Sequence, residues 1–199
     1  MSGVGPGISR SWLRVSILHV ALVMTAGLVL FAYAFVSNVA LAIVPHEPVI
    51  VWGGAQLGVW RTASIATAAT VLAAWVDHRL FVPLISRIHA RRAAAGVTIS
   101  RWERMFRRAP FAIIALSGVT PLPFFPFKAL AFSARYPLSR YLGAVAAGRF
   151  PRYAAMAWFG QAIHPPFWLL AALFVLLLIP TVRILAWPPL SSPRRRPAN

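Results

Sequence analysis

The chain of 199 residues has no cysteine, one lysine (Lys128) and three carboxylates. Without cysteine, disulfides, thiol nucleophiles and Cys-ligated metals are excluded. The acids Glu47, Asp77 and Glu103 are too few to build a paired-carboxylate site or a two-metal phosphotransferase with ease. Neither a GxGxxG loop, a P-loop nor a GxSxG elbow is present. His19 reads as a helix-contact residue of the first apolar run, and His46, His78, His89 and His164 form no cluster with metal-ligand spacing. The chain therefore reads as a protein with no enzymatic chemistry and no cofactor.

What is present is apolar residue and arginine. The composition is 59% hydrophobic with a mean hydropathy of +0.71. A soluble domain of this length could not absorb that share in its core, so the chain reads as an integral membrane protein. The net charge of +17 could suggest nucleic acid. The arginines lie beside apolar spans, however, where cytoplasmic loops and anionic lipid head groups account for them. The expected partners are membrane lipids, with no nucleic acid; self-association is left open. The heavy use of Arg over Lys, with abundant Ala, is associated with GC-rich bacterial genomes.

Residues 1–11, rich in Gly, Ser and Pro, and 188–199, with Arg194, Arg195 and Arg196 near the end, read as a disordered N-terminus and a basic tail flanking one membrane domain, 12–187. Spanning helices are expected near 13–37, 59–77, 137–160 and 166–187, each long enough for a hydrocarbon core of ~30 Å. The run Val15 to Val36 is too long for a cleavable signal peptide. The segment 78–108 carries Arg79, Arg87, Arg91, Arg92, Arg101, Arg104, Arg107 and Arg108, which assigns it to the cytoplasm together with both termini. Trp12, Trp75 and Trp187 then fall at the inner boundary, and Trp60, Trp158 and Trp168 at the outer one. Within the basic segment, Ile99, Trp102, Phe106 and Ala109 recur at helical spacing, and Ser100 with Glu103 fits a capping box.

Two apolar stretches do not suit straight spans. One is 40–58, with Pro45, His46, Glu47 and Pro48 at its head and Gly53-Gly54 in its middle. The other is 109–132, with Pro121, Pro123 and Pro126 in its centre. Proline removes helix hydrogen bonds and bends the chain, so both read as re-entrant hairpins entering from opposite sides. The expected fold is all-α, with about four transmembrane helices and two opposed hairpins in an inverted repeat. Interrupted segments in opposed halves point to a transporter's midplane site.

Arg149 and Arg152 fall inside the third expected span. At 1.5 Å per residue from Pro137, Arg149 lies about 18 Å along it. The i, i+3 spacing puts both guanidinium groups on one face, where they repel unless an anion lies near, and a guanidinium forks well onto phosphate. Intramembrane charge is costly and usually functional. The bland alternative is a structural pair held by hairpin carbonyls. Lys128 reads either as a second anion contact or as a side chain snorkelling to the inner interface. Glu47 is either a buried proton-linked acid or a solvated charge in an outer turn. Asp77 is either in an interfacial ion pair or at work in the site. Glu103 has a sufficient explanation in its cap and in Arg107.

The succession PHEPVIVWGG, WVDHRLFVPLISR and SGVTPLPFFPFKALAFSARYPLSRYLGAVAAGRFPRYAAMAWFG resembles the DedA, or SNARE-associated Golgi protein (VTT domain), superfamily over residues 40 to 165. The most specific part is the proline-rich segment followed by Gly148-Arg149 within the next helix. The second hairpin lacks the arginine of DedA proper and carries Lys128 instead, which is closer to the divergent VTT branch. The resemblance implies a lipid transporter or scramblase with opposed re-entrant hairpins in a bacterial inner membrane, coupled to protons. It implies Glu47, Asp77, Arg149 and Arg152 as working residues. The expected function is movement of an anionic lipid phosphate, such as a polyprenyl phosphate or phospholipid. Arg149 and Arg152 would hold the phosphate, Lys128 or Arg135 would assist, and Glu47 and Asp77 would gate. The alternative is a non-transporting membrane scaffold or assembly factor of the same fold.

Overall fold

A computed structural model describes residues 10–39, 44–94, 104, 106, 108–120 and 124–186. Among them all regular structure is helical: α1 (Arg10–Asn38), α2 (Glu47–Leu57), α3 (Val59–Ala94), α4 (Pro110–Val119), α5 (Phe125–Ser133), α6 (Leu138–Ile163) and α7 (Phe167–Ala186). Two stretches are long and apolar enough to cross a membrane, Arg14–Asn38 of α1 and Val59–Ile85 of α3, with mean hydropathies of 2.3 and 1.3.

Helices α1, α6 and α7 occupy the expected places. The second expected span does not stop near 77: α3 runs on to Ala94, through Pro83. Hydropathy falls at Asp77-His78-Arg79, which in isolation reads as an end. Asp77 is instead buried against another helix, and Leu80 to Ile85 carry the apolar pattern onward. Of the expected surface helix at 100–109, only Arg104, Phe106, Arg108 and Ala109 lie among the described residues, and its capping box lies outside them. Phe106 is buried edge-on against Tyr136.

The two proline-rich stretches fold as short helices. Pro48 stands in the first turn of α2, where its missing N–H leaves no bond unmade. Gly53 and Gly54 are helical contact points, and the chain turns instead at Gly58, whose φ of 81° suits glycine. The second stretch divides into α4 and α5. Thr120 ends α4 in extended backbone, and residues 121–123 lie outside the described set.

Helix α6 is the hub, packing against α2, α3 and α4. Glycine permits two of these approaches. A Cβ on Gly54 or Gly160 would collide with the backbone of Ala157 or Val51, which brings α2 onto the C-terminal half of α6. A Cβ on Gly148 would collide with the Ala115 backbone, and one on Gly118 would lie 3.2 Å from the Gly148 Cα, which brings α4 onto its N-terminal half. Small residues let helix backbones approach this closely. The Val59 N–H donates to Gln161 Oε1 at 3.2 Å, so α3 begins beside the end of α6. Two apolar clusters result. One gathers Ile114, Phe132, Tyr141 and Val145. The other gathers Leu30, Ile50, Ala66 and Tyr153. Along α6 the polar side chain Arg149 lies between Val145 of the first and Tyr153 of the second.

Candidate functional site

Arg149, Arg152 and Tyr153 share one face of α6 at i, i+3 and i+4. Pro151 between them has no N–H to give the helix, and its ring crowds the turn before it. Arg149 and Arg152 reach residues of both proline-rich segments, and Tyr153 reaches His46 of the first.

Arg152 joins those tips. Its Nη2 donates to Glu47 Oε1 at 2.8 Å, and its Nη1 donates to the Thr120 carbonyl at 2.9 Å. Glu47 opens α2 and Thr120 closes α4, so one guanidinium bridges the two segments. The pair is mostly shielded, at 15% and 23% exposure. The start of a helix is also a favourable place for the Glu47 carboxylate.

A second ion pair closes the other side. Lys128 Nζ on α5 lies 2.5 Å from Asp77 Oδ2 on α3, with both side chains buried. It also donates to the Asn38 carbonyl at 3.1 Å, at the end of α1. Lys128 therefore neither snorkels nor stands open: it ties three helices together. Asp77 is fully buried and ion-paired.

Arg149 belongs to neither pair. It is 3% exposed, and its guanidinium lies over the rings of Phe124 and Tyr153, at 5.0 and 5.9 Å from their centroids. Cation–π contact of this kind is worth about 0.5–2 kcal/mol and does not neutralise the charge. Nη1 meets His46 Nε2 at 3.5 Å, and Nε has no hydrogen-bond partner among the described residues. Among the described residues, three cations (Lys128, Arg149 and Arg152) thus meet two carboxylates (Glu47 and Asp77), one positive charge more than the acids there.

The structure brings together five of the six expected site residues: Glu47, Asp77, Lys128, Arg149 and Arg152. Arg135 stands apart. It is exposed in the turn after α5, at a φ of 50°, with its N–H on the Phe132 carbonyl.

His46 is the site residue that sequence reasoning passed over. It is 6% exposed, and its Nε2 lies 3.2 Å from the Tyr153 hydroxyl. That hydroxyl is 2.9 Å from Thr70 Oγ1, which donates to the Ala66 carbonyl. Tyr153 was findable, since it follows Arg149 by four residues on one helix face. His46 had only its place beside Glu47 to mark it.

No protein-family model, curated protein or solved structure matches this chain. The functional reading therefore stands on the geometry. A buried guanidinium with an open N–H, an uncompensated charge and a neighbouring imidazole can receive a phosphate, sulfate or carboxylate oxygen.

Proposed function

We propose that this chain is a multi-pass membrane carrier of the DedA and VTT kind that moves an anionic lipid phosphate across the bilayer. The carrying observation is Arg149, buried and outside both ion pairs among the described residues. Burying an unmatched charge is costly, and an anionic substrate is a partner that repays it.

In this reading α1, α3, α6 and α7 span the membrane, while α2 and α4–α5 enter from opposite faces. Helices α2 and α4, of 11 and 10 residues, reach roughly 15 Å each, half of a ~30 Å hydrocarbon core. The apolar side chains Val15, Leu18, Leu22, Val29 and Val36 of α1 are exposed, as a lipid-facing surface requires. Trp60, Trp158 and Trp168 are exposed at the end where α3 begins, α6 ends and α7 begins, which suits an outer aromatic belt. Both termini and the basic residues that follow Ile85 would then face the cytoplasm of a bacterial inner membrane. Arg149 holds the lipid phosphate, Arg152 exchanges Glu47 for it, and Glu47 gates. Lys128 and Asp77 brace the cytoplasmic half.

The test is lipid translocation in reconstituted liposomes. Arg149→Ala should lose most of the transport while retaining the wild-type thermal midpoint to within a few degrees. Full transport by that variant would overturn the assignment.

The glycine contacts that seat α2 and α4 on α6 favour a second reading, a rigid non-transporting scaffold in which Arg149 is a structural pin. In that case Arg149→Ala loses folding stability, and the wild-type protein moves no lipid.

A further inference from the structure

The hydrogen bonds around His46 admit two arrangements that differ in where a proton sits. The ring also makes a hydrogen bond to the Val44 backbone. With Nε2 unprotonated, its lone pair receives the Arg149 Nη1 donor, and the Tyr153 hydroxyl turns toward it. Thr70 spends its proton on the Ala66 carbonyl, so it has none to return to Tyr153. With Nε2 protonated, the chain runs one way: His46 donates to Tyr153, Tyr153 to Thr70, and Thr70 to the Ala66 carbonyl. Every hydroxyl is then satisfied. Arg149 Nη1 is not, because two donors now face each other across 3.5 Å.

Protonation of His46 and release of Arg149 are therefore opposite sides of one exchange. An anionic oxygen arriving at Arg149 draws Nη1 away from Nε2 and leaves that lone pair beside a negative charge. A proton from water removes the conflict and makes the imidazole a cation next to the anion. We propose that His46 is the proton acceptor linked to anion binding at Arg149, with Tyr153, Thr70 and the Ala66 carbonyl as the hydrogen-bond chain that receives its N–H. The inference rests on the reading of Arg149 as an anion site, and it assigns the proton to a residue other than Glu47.

The charged and titratable neighbours are accounted for. Glu47 on α2 is held by Arg152 of α6. Tyr33 on α1 donates to the Pro45 carbonyl, one residue before His46. Asp77 on α3 and Lys128 on α5 form their own pair. Arg149 and Tyr153 are the groups of α6 that touch the ring. Among these, His46 changes charge nearest neutral pH when unperturbed.

The probe is a dialkyl phosphate, whose single charge is constant across neutral pH, so any pH dependence belongs to the protein. Detergent-solubilised full-length protein is titrated calorimetrically with dimethyl phosphate and with dioctyl phosphate, in buffers of differing ionisation enthalpy. The expected result is uptake of up to one proton per anion bound. Affinity should strengthen as pH falls, with a limiting slope of roughly tenfold per pH unit, the linkage for one proton. His46→Gln should abolish uptake and flatten the slope, and Tyr153→Phe should reduce uptake.

Zero uptake by the wild-type protein overturns the proposal without any variant. Uptake and slope retained in His46→Gln overturn it as well, since the proton then goes to another group. Undiminished binding in Arg149→Gln instead overturns the anion site on which it rests. Equal affinity for the dimethyl and dioctyl probes would leave the proton link intact and overturn the lipid origin of the anion.

Discussion

Arg152 and Glu47 lie 105 residues apart in sequence and 2.8 Å apart in space, and the same guanidinium also holds the Thr120 carbonyl. This makes Arg152 the link between the first residue of α2 and the end of α4. Separate backbone contacts seat each of these helices on α6, but Arg152 is the side chain that connects their tips.

If this link is energetic as well as geometric, Arg152→Ala and Glu47→Gln should not be additive. A double-mutant cycle read from thermal unfolding in detergent should give a coupling of about 1–3 kcal/mol, the range for contacting residues in a partly shielded pair. A coupling near zero would mean that the pair adds no stability. Transport assays on the same variants should show Arg152→Ala weakening lipid movement, because its second arm then no longer closes on Thr120.

The glycine seats make a sharper prediction. Gly54→Ala and Gly160→Ala place a methyl group against a backbone that cannot move aside as a flexible side chain would. Each should destabilise by about 2 kcal/mol or more through overpacking. Gly143 on the same helix is the control: its Cβ would meet Phe111 Cε2 at 3.8 Å, an ordinary contact. Gly143→Ala should be neutral or stabilising by up to about 1 kcal/mol, since alanine favours a helix over glycine. Equal losses at all three positions would contradict the close approach of α2 to α6.

The parts of this fold legible in sequence are those with a local cause. Hydropathy located α1, α6 and α7, and the proline clusters marked the stretches that became α2 and the α4–α5 pair. Helical spacing placed Arg149 and Arg152 on one face. What escaped depends on long-range contacts. The extension of α3 past Asp77 follows from its partner Lys128, 51 residues away, and no local signal announces that partner. His46 meets Arg149 and Tyr153 across 103 and 107 residues. Gly54, in the middle of a stretch expected to fold as a hairpin, is a helix contact instead, because the helix that needs it lies a hundred residues further on.

The buried pair Lys128–Asp77 yields the last prediction. Lys128→Met leaves the Asp77 carboxylate in a fully buried position without its ammonium partner. Breaking a buried pair from one side typically costs about 3–5 kcal/mol, more than the pair itself contributes against neutral replacements of similar size. Lys128→Met alone should therefore lower the unfolding midpoint sharply. The double variant Lys128→Met with Asp77→Asn should recover a substantial part of the loss, since neither charge remains. If lipid transport returns with stability in the double variant, the pair is a brace for α1, α3 and α5, as its hydrogen bond to Asn38 suggests. If stability returns and transport does not, Asp77 or Lys128 takes part in moving the lipid, and the bracing role is insufficient.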